Sequence, residues 1–119
     1  MQYMLLIYTS ENEEPAPGTK ELDDLLARHV AFSGETQNNG QYRHAAPLQP
    51  VAAATSVRVR DGRMVATDGP FAETKEQLGG YYLLDCKDLD EAIELAAKLP
   101  EAEYGCIEVR PIRDLGQEG

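Results

Sequence analysis

The apolar positions of the chain predict a strand followed by a long helix. Residues 3–8 are apolar on both faces, which is typical of a strand buried on both sides. After a loop rich in proline, a helix is predicted from a cap at Thr19 to a stop near Gly40. Its apolar face is formed by Leu22, Leu25, Leu26 and Phe32.

The middle of the chain predicts shorter strands. Residues 42–46 are predicted to form a short strand, and residues 55–60 alternate between apolar and polar side chains. Asp61-Gly62 separates that run from residues 64–67, which predicts a β-hairpin. Residues 81–84 are again apolar on both faces and predict another buried strand.

The last third of the chain predicts a second helix and a final strand. Asp88 and Glu91 resemble a capping box, and the helix runs to about Leu99, before Pro100. Its inward residues are predicted to be Leu89, Ala92, Ile93 and Ala96. Cys106 to Ile112 is the last strand. We therefore expect one domain over residues 1–113 and a C-terminal tail over residues 114–119.

This order of elements predicts an α+β fold. It is β-α-β, a hairpin, then β-α-β, which matches a ferredoxin-like split βαβ arrangement with an inserted hairpin. Two helices cover only one face of the sheet, yet strands 3–8 and 81–84 are apolar on both. Because monomers avoid large exposed apolar patches, we expect a second copy to pack sheet to sheet as a homodimer.

Composition narrows the partners and the compartment. The 119 residues suit one domain, and the net charge of −10 argues against binding nucleic acid or an anionic membrane. The apolar run at residues 3–8 is too short for a signal peptide or a membrane span, so a cytoplasmic location is expected. Cys86 and Cys106 are expected on the two strands that flank the first one, about 10 Å apart, as unbridged core residues.

His29 is the most informative single residue. It lies at the centre of the apolar face of the first helix, and Ser33 and Thr36 extend a polar notch along the same stripe. Imidazole titrates near neutrality and therefore suits proton transfer. The alternative is a core histidine bonded to a backbone carbonyl or to Ser33.

The segment Asp68-Gly69-Pro70-Phe71 sharply ends the hairpin. Asp68 either caps the following turn through backbone N–H groups or orients and charges His29. Gly69 permits a backbone geometry or a close approach that a side chain forbids, and Pro70 fixes the exit direction. Phe71 is either a core plug or a pocket wall.

Residues 57–62 and 67–83, which include the DGPF sequence at 68–71, resemble the DGPF subgroup of the YCII-related family. The resemblance extends over nearly the whole chain and implies a ferredoxin-like fold in a dimeric α+β barrel. It also implies a histidine and an aspartate suspected of catalysis, for which His29 and Asp68 are the candidates. The chain has Ala45-Ala46-Pro47 where the wider family often has Ala-Gly-Pro. Members of the subgroup are often associated with sigma factors.

Two hypotheses for function follow. In the first, the protein is a cofactor-free enzyme of isomerase or lyase type, with His29 as general acid or base and Asp68 as its partner; Ser33, residues 69–71 and Arg110 would contact the substrate. Arg110 shares a strand face with Glu108, and the two are either an interface ion pair or ligand contacts. In the second, it is a non-catalytic ligand-binding or regulatory module linked to sigma-factor control. No metal-ligand spacing, phosphate loop or dinucleotide motif is present in the sequence, so no metal or cofactor is expected.

Overall fold

A computed structural model describes residues 1–116 as two helices and six strands. The strands are β1 (Gln2–Thr9), β2 (Tyr42–Pro47), β3 (Thr55–Arg60), β4 (Arg63–Asp68), β5 (Gln77–Asp85) and β6 (Cys106–Pro111). The helices are α1 (Lys20–Asn38) and α2 (Leu89–Ala97). Short 3₁₀ turns span Glu11–Glu13, Val51–Ala53 and Pro100–Glu103. Of the expected tail, residues 117–119 lie outside the described residues.

Four strands form one antiparallel sheet in the order β2-β5-β1-β6. The two βαβ halves interleave, so β1 and β5 are central and β2 and β6 are at the edges. This is the ferredoxin-like order, and it confirms the predicted α+β fold. Within residues 1–116, no helix is both long enough and apolar enough to cross a membrane.

The predicted hairpin is confirmed as a separate two-stranded sheet of β3 and β4. Asp61 and Gly62 form its turn with φ angles of 52° and 75°, the positive values that a tight type I′ connection requires. The hairpin extends from the main sheet, and its apolar side chains are largely exposed: Val57, Val59, Met64 and Val65.

Both helices pack on the same face of the main sheet. Tyr3, Leu5 and Ile7 of β1 are buried there because alternate residues of a strand point to the same side. From the helices, Phe32, Ala92, Leu95 and Ala96 complete the core. The opposite face of the sheet carries the partly exposed Met4, Leu6 and Leu83.

The helix caps were predicted correctly. The Thr19 side chain accepts from the backbone N–H of Leu22 at 3.2 Å, and Asp88 accepts from that of Glu91 at 2.9 Å. Each cap satisfies an N–H group that the first turn leaves without an intrahelical partner.

The burial predicted for four residues was wrong. Leu89 and Ile93 of α2 are about half exposed, and Leu95 is buried instead, because the inward stripe runs through residues 92, 95, 96 and 99. Leu26 of α1 is 53% exposed. Both cysteines are free, as expected, but only Cys86 is buried; Cys106 is exposed on the edge strand β6.

Candidate active site

His29 makes hydrogen bonds through both ring nitrogens. Nε2 lies 2.6 Å from Oε2 of Glu101, and Nδ1 lies 2.8 Å from the hydroxyl of Tyr82. A carboxylate only accepts hydrogen bonds, so the neutral imidazole carries its proton on Nε2 and accepts from the tyrosine hydroxyl at Nδ1. The three side chains therefore form one directed chain from Tyr82 through His29 to Glu101.

Three separate elements supply these side chains. His29 comes from the apolar stripe of α1. Tyr82 comes from the helix-facing side of β5, where Leu84 is its neighbour on that face. Glu101 comes from the 3₁₀ turn after α2, which begins at Pro100, a favourable first position for a helical turn.

Gly105 brings the turn with Glu101 against the sheet. A Cβ atom at position 105 would lie 2.2 Å from the carbonyl oxygen of Tyr8, so only glycine fits there. The N–H of Gly105 donates to the carbonyl oxygen of Glu101 at 2.7 Å. The turn is also tied to α1 by Arg28, whose guanidinium contacts both carboxylate oxygens of Glu103 at 3.1 Å.

The Tyr82 ring is fixed by its neighbours. Phe32 packs edge-on against it, with ring centroids 4.9 Å apart, and the His29 ring plane is parallel to it within 4°. Burial raises the pKa of the Tyr82 hydroxyl, the nearby Ser33 hydroxyl opposes the shift, and Glu101 adds to it. Because its pKa lies above the ordinary value of about 10, Tyr82 is a protonated donor at neutral pH.

A cavity of about 470 Å³ opens beside the hydrogen-bonded side chains of Tyr82, His29 and Glu101, on the helix side of the sheet. His29, Tyr82, Glu101 and Ser33 line one wall. Pro47 at the end of β2 and Leu48 and Pro50 in the loop after it also line the cavity, and the α1 residues Leu25 and Leu26 contribute apolar surface. The volume is typical of sites for small organic molecules.

The structure brings together some of the predicted site residues and not others. His29 and Ser33 line the cavity, as do Ala45, Ala46 and Pro47. Asp68 does not bond to His29, because both ring nitrogens of the histidine already have other partners. Asp68 is exposed at the end of the β3–β4 hairpin. The expected His29–Asp68 contact is therefore absent within residues 1–116.

The other DGPF residues also lie outside the cavity. Gly69 has a φ of +101° and open space around it, so its role is backbone conformation, not close approach. Phe71 is 80% exposed and is neither a core plug nor a wall of this cavity. Pro70 is also exposed.

Arg110 lies on the opposite face of the sheet, away from the cavity. Its guanidinium is 2.8 Å from the Glu108 carboxylate, so the two side chains form an ion pair, and its place in a dimer interface stays a prediction. Both side chains are more than a third exposed in the single chain.

Sequence reasoning missed Tyr82 and Glu101. A signal for Tyr82 was present: it alternates with Leu84 on a strand, and a buried imidazole needs a polar neighbour. No local signal separates Glu101 from Glu103, two residues further along.

The geometry defines an α+β protein with a ferredoxin-like sheet and a helix-side cavity that holds a Tyr–His–Glu hydrogen-bonded chain. The model of the YCII-related domain matches residues 1–116, and the chain belongs to the YCII-related family. An uncharacterised protein of Rhizobium meliloti (strain 1021) is 41% identical over 115 residues, which cover 94% of this chain and 92% of that relative. The resemblance to the YCII-related family is thus confirmed, and the DGPF subgroup stays a prediction.

Proposed function

We propose that this protein is a cofactor-free enzyme that transfers protons on a small, partly apolar organic molecule, as in an isomerase or lyase. The observation that carries the proposal is the His29 imidazole, held at both nitrogens on the wall of the cavity. Glu101 takes the role of partner carboxylate that the sequence had suggested for Asp68. The DGPF sequence at residues 68–71 supports assignment to the DGPF subgroup.

The proton path runs through Tyr82. As the substrate gives up a proton to the Tyr82 oxygen, the hydroxyl passes its own proton to Nδ1 of His29. Glu101 stabilises the imidazolium that forms, as a carboxylate does in other hydroxyl–imidazole–carboxylate arrangements. The reverse sequence returns a proton to another substrate atom, so the net reaction needs no oxidant or reductant.

Two features distinguish this site from a hydrogen-bonded core histidine. The His29 side chain is still 21% exposed and lines the cavity, so a ligand can reach it. Glu101, only 8% exposed, has one carboxylate oxygen, Oε1, with no hydrogen-bond partner within residues 1–116. A purely structural network satisfies its buried polar atoms.

Exchange of carbon-bound protons in heavy water tests the proposal. A panel of ketones, lactones and enolisable esters, in charged and neutral forms, is first screened by thermal shift and then followed by proton NMR. The wild-type protein is expected to exchange at least one compound. His29→Gln and Tyr82→Phe should slow that exchange by roughly 10²- to 10⁴-fold, the usual contribution of one acid–base group.

Matched variants provide the controls. The two control residues are His44, exposed on β2, and Tyr3, buried on the same sheet face as Tyr82, and they hydrogen-bond to Tyr81 and Met1 respectively. His44→Gln and Tyr3→Phe should keep the activity, and circular dichroism checks that each variant folds. If compounds bind but none exchanges, and His29→Gln binds them as the wild type does, the protein is a binding module and the proposal is wrong.

A further inference from the structure

The charged residues that line the cavity are all acidic. Among residues 1–116, the carboxylates of Glu11, Glu14 and Glu101 line it, and no lysine or arginine does. Within the same range, His29 is the one lining side chain able to carry a positive charge. The electrostatic potential of such a wall disfavours an anionic ligand and favours a cationic one.

The carboxylates of Glu11 and Glu14, which follow β1, accept hydrogen bonds from uncharged donors. Oε2 of Glu11 accepts from the backbone N–H of Val51 at 2.9 Å. Glu14 accepts from the hydroxyls of Thr9 and Tyr104. Neither glutamate forms an ion pair within the described part of the chain.

Glu101 provides an independent indication of a ligand. Its side chain is more than nine-tenths buried, and Oε1 lacks a donor among residues 1–116. An unsatisfied buried oxygen costs free energy, most of all when it is charged. Oε1 itself has almost no accessible surface, so the carboxylate has to turn toward the cavity that Glu101 lines before a ligand N–H group can remove that cost.

We propose that the cavity binds a small organic ammonium compound with an apolar body, and that Glu101 accepts a hydrogen bond from the ammonium through Oε1. The apolar body would lie against Leu25, Leu48 and Pro50. Since Oε2 of Glu101 holds His29, one carboxylate would orient both the ligand and the imidazole. The inference rests on the proposed function only in placing the substrate in this cavity.

Binding of three probes of the same shape tests the inference. Benzylamine, benzyl alcohol and benzoate share a ring and differ in charge. Their dissociation constants can be measured at neutral pH and low salt from the backbone amide NMR shifts of Gly79 and Gly80, which line the cavity. We expect benzylamine to bind roughly tenfold more tightly than benzyl alcohol, which is about 1.4 kcal/mol, and benzoate to bind most weakly.

Two substitutions test whether Glu101 causes the preference for the amine. Glu101→Gln should remove most of the preference for the amine, whereas Glu94→Gln, at an exposed position of α2, should keep it. If Glu101→Gln does not fold, the double variant Glu11→Gln, Glu14→Gln should still reduce the preference. Benzoate binding as tightly as benzylamine, or an unchanged preference in folded Glu101→Gln, would overturn the inference.

The two proposals fail separately. A preference for benzylamine without any proton exchange in the heavy-water assay would support the ligand class and contradict the enzyme. Proton exchange confined to anionic compounds would support the enzyme and contradict the ligand class.

Discussion

At the scale of single residues, the site depends on which atoms are donors and which are acceptors. Glu101 can only accept, so it determines the proton position on His29, and that position in turn makes Tyr82 the donor at Nδ1. The phenol is kept neutral by its burial. A neutral hydroxyl beside a basic nitrogen is suited to relay a proton.

The raised pKa of Tyr82 predicts a loss of stability in alkali. An unfolded tyrosine ionises near pH 10, while the folded one holds its proton to higher pH. The stabilisation is therefore complete below about pH 10 and is lost as pH rises toward the folded pKa. The free energy of unfolding should fall there by up to about 1.4 kcal/mol per pH unit for each such group.

Urea unfolding between about pH 9 and about pH 11 measures this dependence. Burial, with a smaller contribution from Glu14, also raises the pKa of Tyr104, so both groups contribute. Tyr82→Phe and Tyr104→Phe should each make the decline shallower. A decline in Tyr82→Phe as steep as in the wild type would show that Tyr82 does not contribute.

At the scale of elements, local patterns predicted the strands, caps and hairpin well. Asp61-Gly62 and the Thr19 and Asp88 caps act within a few residues, so the sequence suffices to identify them. The start of β5 was missed by four residues, at Gln77, not Tyr81. Gly79 and Gly80 look like a loop in the sequence, but pairing with β1 across a bulge extends the strand through them.

The candidate site was predictable only where one element determines it. The position of His29 and Ser33 follows from helical periodicity alone. The position of Glu101 depends on the close approach of Gly105 to β1, a contact between segments almost 100 residues apart. No local sequence pattern predicts that contact. The position of Asp68 likewise depends on how the hairpin leaves the sheet, which its turn sequence does not specify.

At the scale of the whole molecule, the uncovered face of the main sheet supports the predicted homodimer. Met4, Leu6 and Leu83 lie on this face, opposite both helices. Light scattering should give twice the mass of one chain. Leu6→Glu should yield a monomer, because it places a charge in the predicted interface, while Val30→Glu, at an exposed position of α1, should remain dimeric. A monomeric wild-type protein would contradict the prediction.

The complete fold is also what assembles the site. Tyr82 and Glu101 follow His29 by 53 and 72 residues along the chain. The three meet only when α1, β5 and the turn after α2 pack together. The central claim is that Glu101, and not Asp68, holds the histidine within the folded chain.

The proton NMR signal of the His29 Nε2–H group tests that claim directly. A short hydrogen bond to a carboxylate should shift this proton far downfield and slow its exchange with water at low temperature. We predict the signal in the wild type and in Asp68→Asn, and its loss in His29→Gln and Glu101→Leu. Its absence from the wild type, or its loss in Asp68→Asn with survival in Glu101→Leu, would contradict the account.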